Sequence, residues 1–375
     1  MPDLVAVDLP AGQAFVDALH RAWDRGDAVL PLDRRLPTPA VNRLLEALRP
    51  TTVVDPDGSH PRADGVPVDD GDALVVATSG TTGEPKGVVL THSAVQASAV
   101  ASSGRLDIDP ARDRWVACLP LAHIGGLSVL TRAIATGTPY TLLEQFDADA
   151  VADEAVRGAT RVSLVATALR RTDTTGYRTV LLGGAAPPQR LPDNVVTTYG
   201  MTETGSGVVY DGIPLDGVEL RIGDGELGAD GEVLVRGPML LRAYRDGTDP
   251  RLRGGWLPTG DGGSLDGGGR LSVRGRMAEV IVTGAEMVWP SAVESVLARH
   301  PGIAEVAVWK RADPEWGHRV VAWVVPADPA VPPGLASLRA AVSEQLAPWA
   351  APKELVVVGT LPRTSSGKVQ RSRLS

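Results

Sequence analysis

One cysteine, two phenylalanines and four lysines in 375 residues put several kinds of chemistry out of reach. With Cys118 alone, no intrachain disulfide and no cysteine-built metal cluster can form, which fits a reducing compartment. No stretch approaches the roughly 18 apolar residues of a membrane span, and no charged-then-apolar leader opens the chain. A cytoplasmic protein without a membrane span is therefore expected. Positive charge is also short, with 45 acids against 37 bases and a net charge of −8, which argues against nucleic acid or an acidic membrane as main partner. No internal repeat or coiled-coil heptad is found. The apolar fraction of 43% is ordinary for a globular protein, and the length allows a large core plus a smaller domain.

Lysine scarcity makes the remaining four informative: Lys86, Lys310, Lys353 and Lys368. Arginine supplies the general surface charge, so a lysine among Gly, Ser and Thr points to a compact ammonium placed for a phosphate or carboxylate. Lys86 stands in Thr78-Ser79-Gly80-Thr81-Thr82-Gly83-Glu84-Pro85-Lys86-Gly87, directly after the apolar residues 74–77. Three glycines let backbone N–H groups turn inward, Ser79, Thr81 and Thr82 add hydroxyls, and Lys86 adds a fixed charge. This is a phosphate cradle, and it points to a nucleoside triphosphate. It is not a P-loop, because Gly87 follows the lysine where Ser or Thr belongs, and no G-x-G-x-x-G opens a helix.

Amphipathic helices are expected near residues 13–23 and 40–48. Residues 74–77 read as a strand, and Thr91 or Ser93 as the cap of a helix through about residue 100, which puts the cradle between strand and helix. Short apolar runs at 115–119, 140–143, 161–165 and 179–182 alternate with helix-like segments, favouring a parallel or mixed α/β sheet. Strands follow at 219–222 and 232–236, and residues 261–269 read as a glycine-rich turn. After Arg276 comes an α+β unit. It has strands at 280–282, 305–308, 320–325 and 355–358, a helix opened by a capping box at Ser291 to Glu294, and another at 335–346. The fold class is thus α/β plus α+β, with domains at 1–277 and 278–375.

The cradle resembles the signature loop of the adenylate-forming superfamily of acyl- and aryl-CoA ligases, adenylation domains and luciferases. Five more segments agree in the same order: Pro120-Leu121-Ala122-His123, Gly183-Gly184-Ala185, Tyr199-Gly200-Met201-Thr202-Glu203, Thr259-Gly260-Asp261 with Gly275-Arg276, and Pro362 through Lys368. The resemblance implies a large N-terminal adenylate-forming domain with mixed sheets and a small mobile C-terminal domain. The front end looks like that of the compact members. ATP, Mg²⁺ and coenzyme A are the implied cofactors and co-substrates, and a small carboxylic acid the partner. A homodimer is compatible with this.

By the same resemblance Ser79, Gly80, Thr81, Thr82, Gly83 and Lys86 hold the β- and γ-phosphates, Thr202 the α-phosphate, and Glu203 the Mg²⁺. Tyr199, Gly184 and Ala185 receive adenine, Asp261 the ribose hydroxyls with Arg276 beside it, and Lys368 the acyl carboxylate and the bridging oxygen at the α-phosphate. His123 gates the acyl pocket, and Gly284-Ala285-Glu286 line the thiol's path. Taken singly, most of these have plainer readings. Glu203 would be a surface acid, Tyr199 core, Asp261 a turn residue, Lys368 a basic tail, and His123 a satisfied core or surface histidine. Relatives carry Asp or Lys at the pivot where this chain has Ala278. The run from Leu119 to Arg132 looks most like the o-succinylbenzoate:CoA ligases of menaquinone biosynthesis, whose second substrate carboxylate makes Arg132 a candidate against a plain surface arginine. Another aryl- or short-acyl-CoA ligase, a carrier-protein-loading enzyme, or a catalytically silent nucleotide-binding relative are the alternatives.

Overall fold

The computed structural model describes residues 1–79, 85–188, 190–223, 230–284, 286–363 and 369–374. In chain order its elements begin with β1 (Leu4–Val7), α1 (Gln13–Asp24), β2 (Ala28–Pro31), α2 (Thr38–Leu48), β3 (Thr52–Asp55), β4 (Gly58–Pro61), β5 (Asp72–Ser79), β6 (Pro85–Thr91) and α3 (His92–Arg105). Next come β7 (Trp115–Ala117), α4 (Ile124–Thr136), β8 (Tyr140–Leu142), α5 (Ala148–Val156), β9 (Arg161–Val165), α6 (Ala166–Leu169), β10 (Thr179–Gly183), β11 (Val195–Met201), β12 (Ser206–Tyr210) and β13 (Ile213–Pro214). The last third holds β14 (Glu219–Ile222), β15 (Gly231–Arg236), β16 (Ala243–Tyr244), β17 (Leu257–Leu265), β18 (Leu271–Arg276), β19 (Ile281–Thr283), β20 (Glu286–Val288), α7 (Pro290–Leu297), β21 (Ile303–Asp313), β22 (Gly317–Pro326), α8 (Leu335–Ser343) and β23 (Glu354–Val357). Contacts divide the chain into one unit of 1–220, 235–257 and 269–271 and another of 221–234, 258–268 and 272–375.

The first unit holds two seven-stranded mixed sheets, ordered β16-β6-β5-β2-β1-β3-β4 and β13-β12-β11-β10-β9-β7-β8. In the first, β1, β2, β3 and β5 run parallel, while β4, β6 and β16 pair antiparallel at the two ends. In the second, β7 to β11 are parallel and β12 and β13 turn back. Strands covered on both faces read as unbroken apolar runs, which is why Leu74, Val75 and Val76 stand together and are all buried. Helix α1 shows the complementary pattern: Phe15, Val16, Leu19 and Ala22 are buried at helical spacing. The Thr91 side chain caps α3 by accepting from the Ala94 N–H at 3.1 Å.

The second unit carries most of a four-stranded sheet, β14-β15-β17-β18, and the sheet β21-β22-β23. Helices α7 and α8 bury Val293, Leu297, Leu338 and Val342 with Val308, Val320, Ala322 and Val324 of that second sheet. The β19–β20 hairpin adds Ile281 and Val288 to the same core.

Three local expectations change. The cradle does not lie between strand and helix: β6 intervenes, so the segment after Ser79 joins two antiparallel strands, with Thr78 opposite Lys86. Residues 261–269 are not one turn, since β17 continues through Leu265. The capping box at Ser291 does not form. Helix α7 begins at Pro290 with no side-chain cap, the Ser291 hydroxyl donates to the Arg274 carbonyl, and Glu294 Oε1 accepts from the Val308 N–H at 2.7 Å.

Candidate active site

Parallel strands leave their carboxyl ends open to ligands, and the motif segments of the first unit follow such ends. Gly184 and Ala185 follow β10 and are exposed, and Thr202 and Glu203 follow β11 in a single 3₁₀ turn, Thr202–Thr204. That turn is tightly held. The Met201 N–H donates to Thr204 Oγ1 at 2.9 Å, and the buried Thr204 hydroxyl reaches the Ser206 carbonyl oxygen at 2.7 Å. Gly200 is required just before it, because a Cβ there would run into that same Ser206 carbonyl. Tyr199 is half-buried, as are Thr202 and Glu203.

Lys86 on β6 of one sheet and Glu203 in the turn after β11 of the other meet through one side chain. The Tyr244 hydroxyl donates to Glu203 Oε1 at 3.0 Å, and the Lys86 ammonium lies 5.0 Å from the centre of the Tyr244 ring. Backbone bonds fix the strap that carries Tyr244: Leu241 N–H to the Glu203 carbonyl at 2.8 Å, and Arg245 N–H to the Gly87 carbonyl at 2.7 Å. Burial, then the Glu203 charge, push the Tyr244 phenol well above its ordinary value, so it stays a donor. Among the described residues Glu203 Oε2 takes no hydrogen bond.

The second unit holds the other pair. Asp261 on β17 is buried, and Arg276 Nε lies 3.1 Å from its Oδ1. Arg276 Nη1 donates to the Thr259 carbonyl at 3.0 Å, and the Asp261 N–H to Thr259 Oγ1 at 3.1 Å. Ala278 sits in the short turn Met277–Glu279.

His123 begins α4 as its N-cap residue and is about half exposed. Its Nε2 lies 3.3 Å from Asp33 Oδ2 and 3.1 Å from Arg35 Nη2. Asp33 is held below the usual carboxylate value, first by its hydrogen bonds from the Arg35 side chain, against the opposing effect of burial. Cys118 is buried and its thiol is pushed up to about 12, so it is an inert core residue. Arg132 is not on the surface: it is 3% exposed within α4.

Gly80, Thr81, Thr82, Gly83, Ala285 and Lys368 lie outside the described residues, as does the side chain of Ser79. Among the described residues no group of three or more His, Cys, Asp and Glu side chains could hold a metal by itself. One partly free carboxylate, as at Glu203, still suits Mg²⁺, which takes one or two carboxylates and completes its shell with water and phosphate oxygens. Likewise, among the described residues no helix is long and apolar enough to cross a membrane. Sequence reading did not pick out Tyr244, Asp33 or Arg35. For Tyr244 the available signal was rarity, since the chain has only five tyrosines.

Comparison with known proteins agrees with this layout. The model of the AMP-binding enzyme family matches residues 56–245, and that of the AMP-binding enzyme C-terminal domain matches residues 292–368. A protein of Mycobacterium tuberculosis (strain ATCC 25618 / H37Rv) named "Probable 2-succinylbenzoate--CoA ligase" is 40% identical over 365 residues, spanning 90% of this chain and 93% of that protein. The 2-succinylbenzoate–CoA ligase of Listeria monocytogenes serotype 4b is 34% identical over 327 residues, 80% of this chain and 69% of the relative. Among solved structures, the o-succinylbenzoate CoA synthetase (MenE) of Bacillus subtilis in complex with the acyl-adenylate intermediate OSB-AMP superposes with a TM-score of 0.87 at 30% identity, covering 100% of this chain and 88% of that one. The same synthetase with ATP and magnesium ion gives 0.86 at 30% identity, covering 99% and 89%. The chain belongs to the AMP-binding enzyme family.

Proposed function

We propose that the chain is an ATP-dependent acid:CoA ligase that converts 2-succinylbenzoate to its acyl-adenylate and then to the coenzyme A thioester, acting in the cytoplasm. The relatives of that name support the reading. Within the chain, the observation that carries it is the Lys86–Tyr244–Glu203 arrangement, which joins a phosphate-seeking cation to a carboxylate suited to Mg²⁺.

In the first step a carboxylate oxygen of the acid bonds to the α-phosphorus of ATP. The bond from that phosphorus to the bridging oxygen breaks, and pyrophosphate leaves with the electron pair. Two anions must approach, so positive charge and N–H donors supply most of the acceleration. Ser79 to Gly83 and Lys86 bind the β- and γ-phosphates, and Thr202 donates to the α-phosphate. Tyr199 stacks on adenine beside Gly184 and Ala185, and Asp261, oriented by Arg276, accepts from the ribose hydroxyls. Glu203 would hold Mg²⁺, which supplies further positive charge at the phosphate oxygens when bound. Lys368 contacts the acid's carboxylate and the oxygen joined to the α-phosphorus. In the second step the coenzyme A thiol gives its proton to solvent and its sulfur bonds to the acyl carbon, while the bond from that carbon to the AMP oxygen breaks and AMP leaves with the electron pair. We assign residues 278–375 to a mobile C-terminal domain that pivots near Ala278 and withdraws Lys368 between the steps, with His123 gating the thiol's entry.

Incubation with ATP, Mg²⁺, coenzyme A and 2-succinylbenzoate, followed by mass spectrometry, tests the proposal. The expected result is AMP, pyrophosphate and thioester in equal amounts, each dependent on the acid. AMP formation that no carboxylic acid stimulates would overturn it.

A further inference from the structure

Tyr244 reaches Glu203 and Lys86 from a very short strand at the end of the first sheet, where only Ala243 and Tyr244 pair with Val89 and Val88 of β6. Side chains alternate along a strand, so a slip of one residue would turn the tyrosine to the face now taken by the buried Ala243, away from both partners. Such a short ladder specifies register weakly. A contact outside it must hold the strap in place.

Arg242 makes that contact. Its Nε donates to Asp72 Oδ1 and its Nη2 to Asp72 Oδ2, both at 2.8 Å, and this carboxylate at the start of β5 is 0% exposed. The Asp69 N–H donates to the same Oδ2 at 3.1 Å, and Arg242 Nη1 lies 2.8 Å from the exposed Asp69 carboxylate. A guanidinium fork on a carboxylate fixes angle as well as distance, which a point charge would not do. The Arg242 N–H then donates to the Val89 carbonyl at 2.9 Å, next to the paired residues. Gly87 fits the strap from the other side, since a Cβ there would lie 3.0 Å from Arg245 Cβ and 2.9 Å from Leu48 Cδ2. Burying an ion pair adds little to net stability, and its best-attested use is to select one register among several.

We propose that Arg242 is a positioning residue for the nucleotide and metal site: its grip on Asp72 sets the register of residues 241–245 and so keeps Tyr244 between Lys86 and Glu203. The proposal rests on the ATP and Mg²⁺ part of the reading above, and not on which acid is activated. Arg242 acts through Tyr244. When the fork is lost the strap loses its register, the Glu203 carboxylate loses its donor, and Lys86 loses its aromatic face. A carboxylate that must first be ordered takes Mg²⁺ more weakly.

The experiment titrates Mg²⁺ into wild type, Arg242→Gln and Leu19→Ala in two assays: ATP binding by calorimetry without any acid, and pyrophosphate release with 2-succinylbenzoate. Arg242→Gln should raise the half-saturating Mg²⁺ concentration by about 10-fold in both, the scale of a lost partner behind a metal-binding carboxylate. Leu19→Ala, which opens a cavity under α1, should lower the melting temperature and leave the Mg²⁺ requirement within about twofold of wild type. In a Tyr244→Phe background Arg242→Gln should add less than about twofold, because the contact it protects is already gone. Where Arg242→Gln does not fold, the pair Asp72→Asn with Arg242→Gln, which leaves no buried charge, carries the same expectations. An unchanged Mg²⁺ requirement, an equal shift in Leu19→Ala, or full additivity with Tyr244→Phe overturns the proposal, as does wild-type ATP binding that Mg²⁺ does not strengthen. A wild type that binds ATP with Mg²⁺ but activates no acid overturns the ligase reading alone.

Discussion

The Tyr244 hydroxyl donates to Glu203 Oε1 across 3.0 Å while the same ring lies 5.0 Å from the Lys86 ammonium. One side chain thereby orients a carboxylate with its hydroxyl and a cation with its face. Tyr244→Phe keeps the ring and removes the hydroxyl. The apparent Mg²⁺ affinity in adenylation should fall about 10-fold or more, the usual consequence of losing a partner behind a metal-binding carboxylate. Magnesium titration of pyrophosphate release checks it, and an unchanged Mg²⁺ requirement would sink the assignment.

Lys86→Ala and Lys368→Ala should each lower adenylate formation by about 100-fold or more, the scale of a lost charge contact in such a transition state. The second half-reaction, assayed alone, distinguishes a first-step role from general damage. Supplied with preformed acyl-adenylate and coenzyme A, Lys368→Ala should still make thioester at near wild-type rate, since that lysine is assigned to the first step alone. Equal damage to both half-reactions would argue against that role.

Asp261 and Arg276 carry a ribose prediction. Wild type should prefer ATP to 2′-deoxy-ATP, and Asp261→Ala should erase most of that preference while raising KM for ATP by about 10-fold. Measuring both nucleotides on both proteins decides it. A variant that still discriminates would return Asp261 to a structural ion pair with Arg276.

Asp33 gives a pH signature. Its carboxyl ionises below the ordinary value of 3.8 because Arg35 hydrogen-bonds the charged form. The resulting stability is fully present above 3.8 and is lost as pH falls through the lower folded value. Arg35→Gln should therefore cost less than about 1 kcal/mol near pH 6, the pair being partly solvated, and the difference from wild type should shrink below pH 3.8. Urea denaturation at pH 6 and pH 3 measures both. A difference that grows in acid would contradict the sign.

Much of the fold was legible where a strand is buried on both faces. Residues 161–165 emerge at their observed bounds and 74–77 falls inside β5, while 219–222, exposed at alternate positions, is legible from its alternation instead. The misreadings share a cause. Pro85-Lys86-Gly87 looks like more loop, and only the pairing of Lys86 with Thr78 makes it the start of a strand. Asp261-Gly262-Gly263 looks like a turn, yet Gly262 is there because the Trp289 ring occupies the place of its Cβ. Ser291 has the spacing of a cap, but its hydroxyl is taken by a carbonyl seventeen residues away. In each, a partner outside the local window decides, across a hairpin for Lys86 and from another element for Gly262 and Ser291. The candidate site follows the same division. Lys86, Glu203 and Asp261 stand in motifs, whereas Tyr244 reaches Glu203 across 41 residues.

Ser206 is shared. Its hydroxyl accepts from Arg132, and its carbonyl accepts from the Thr204 hydroxyl that braces the Glu203 turn. Losing the Arg132 guanidinium would therefore loosen the residue that steadies the turn carrying Glu203. Helix α4 and that turn thus hang on a common joint, and substitutions at 132 and 203 should fail to add in a double-mutant cycle.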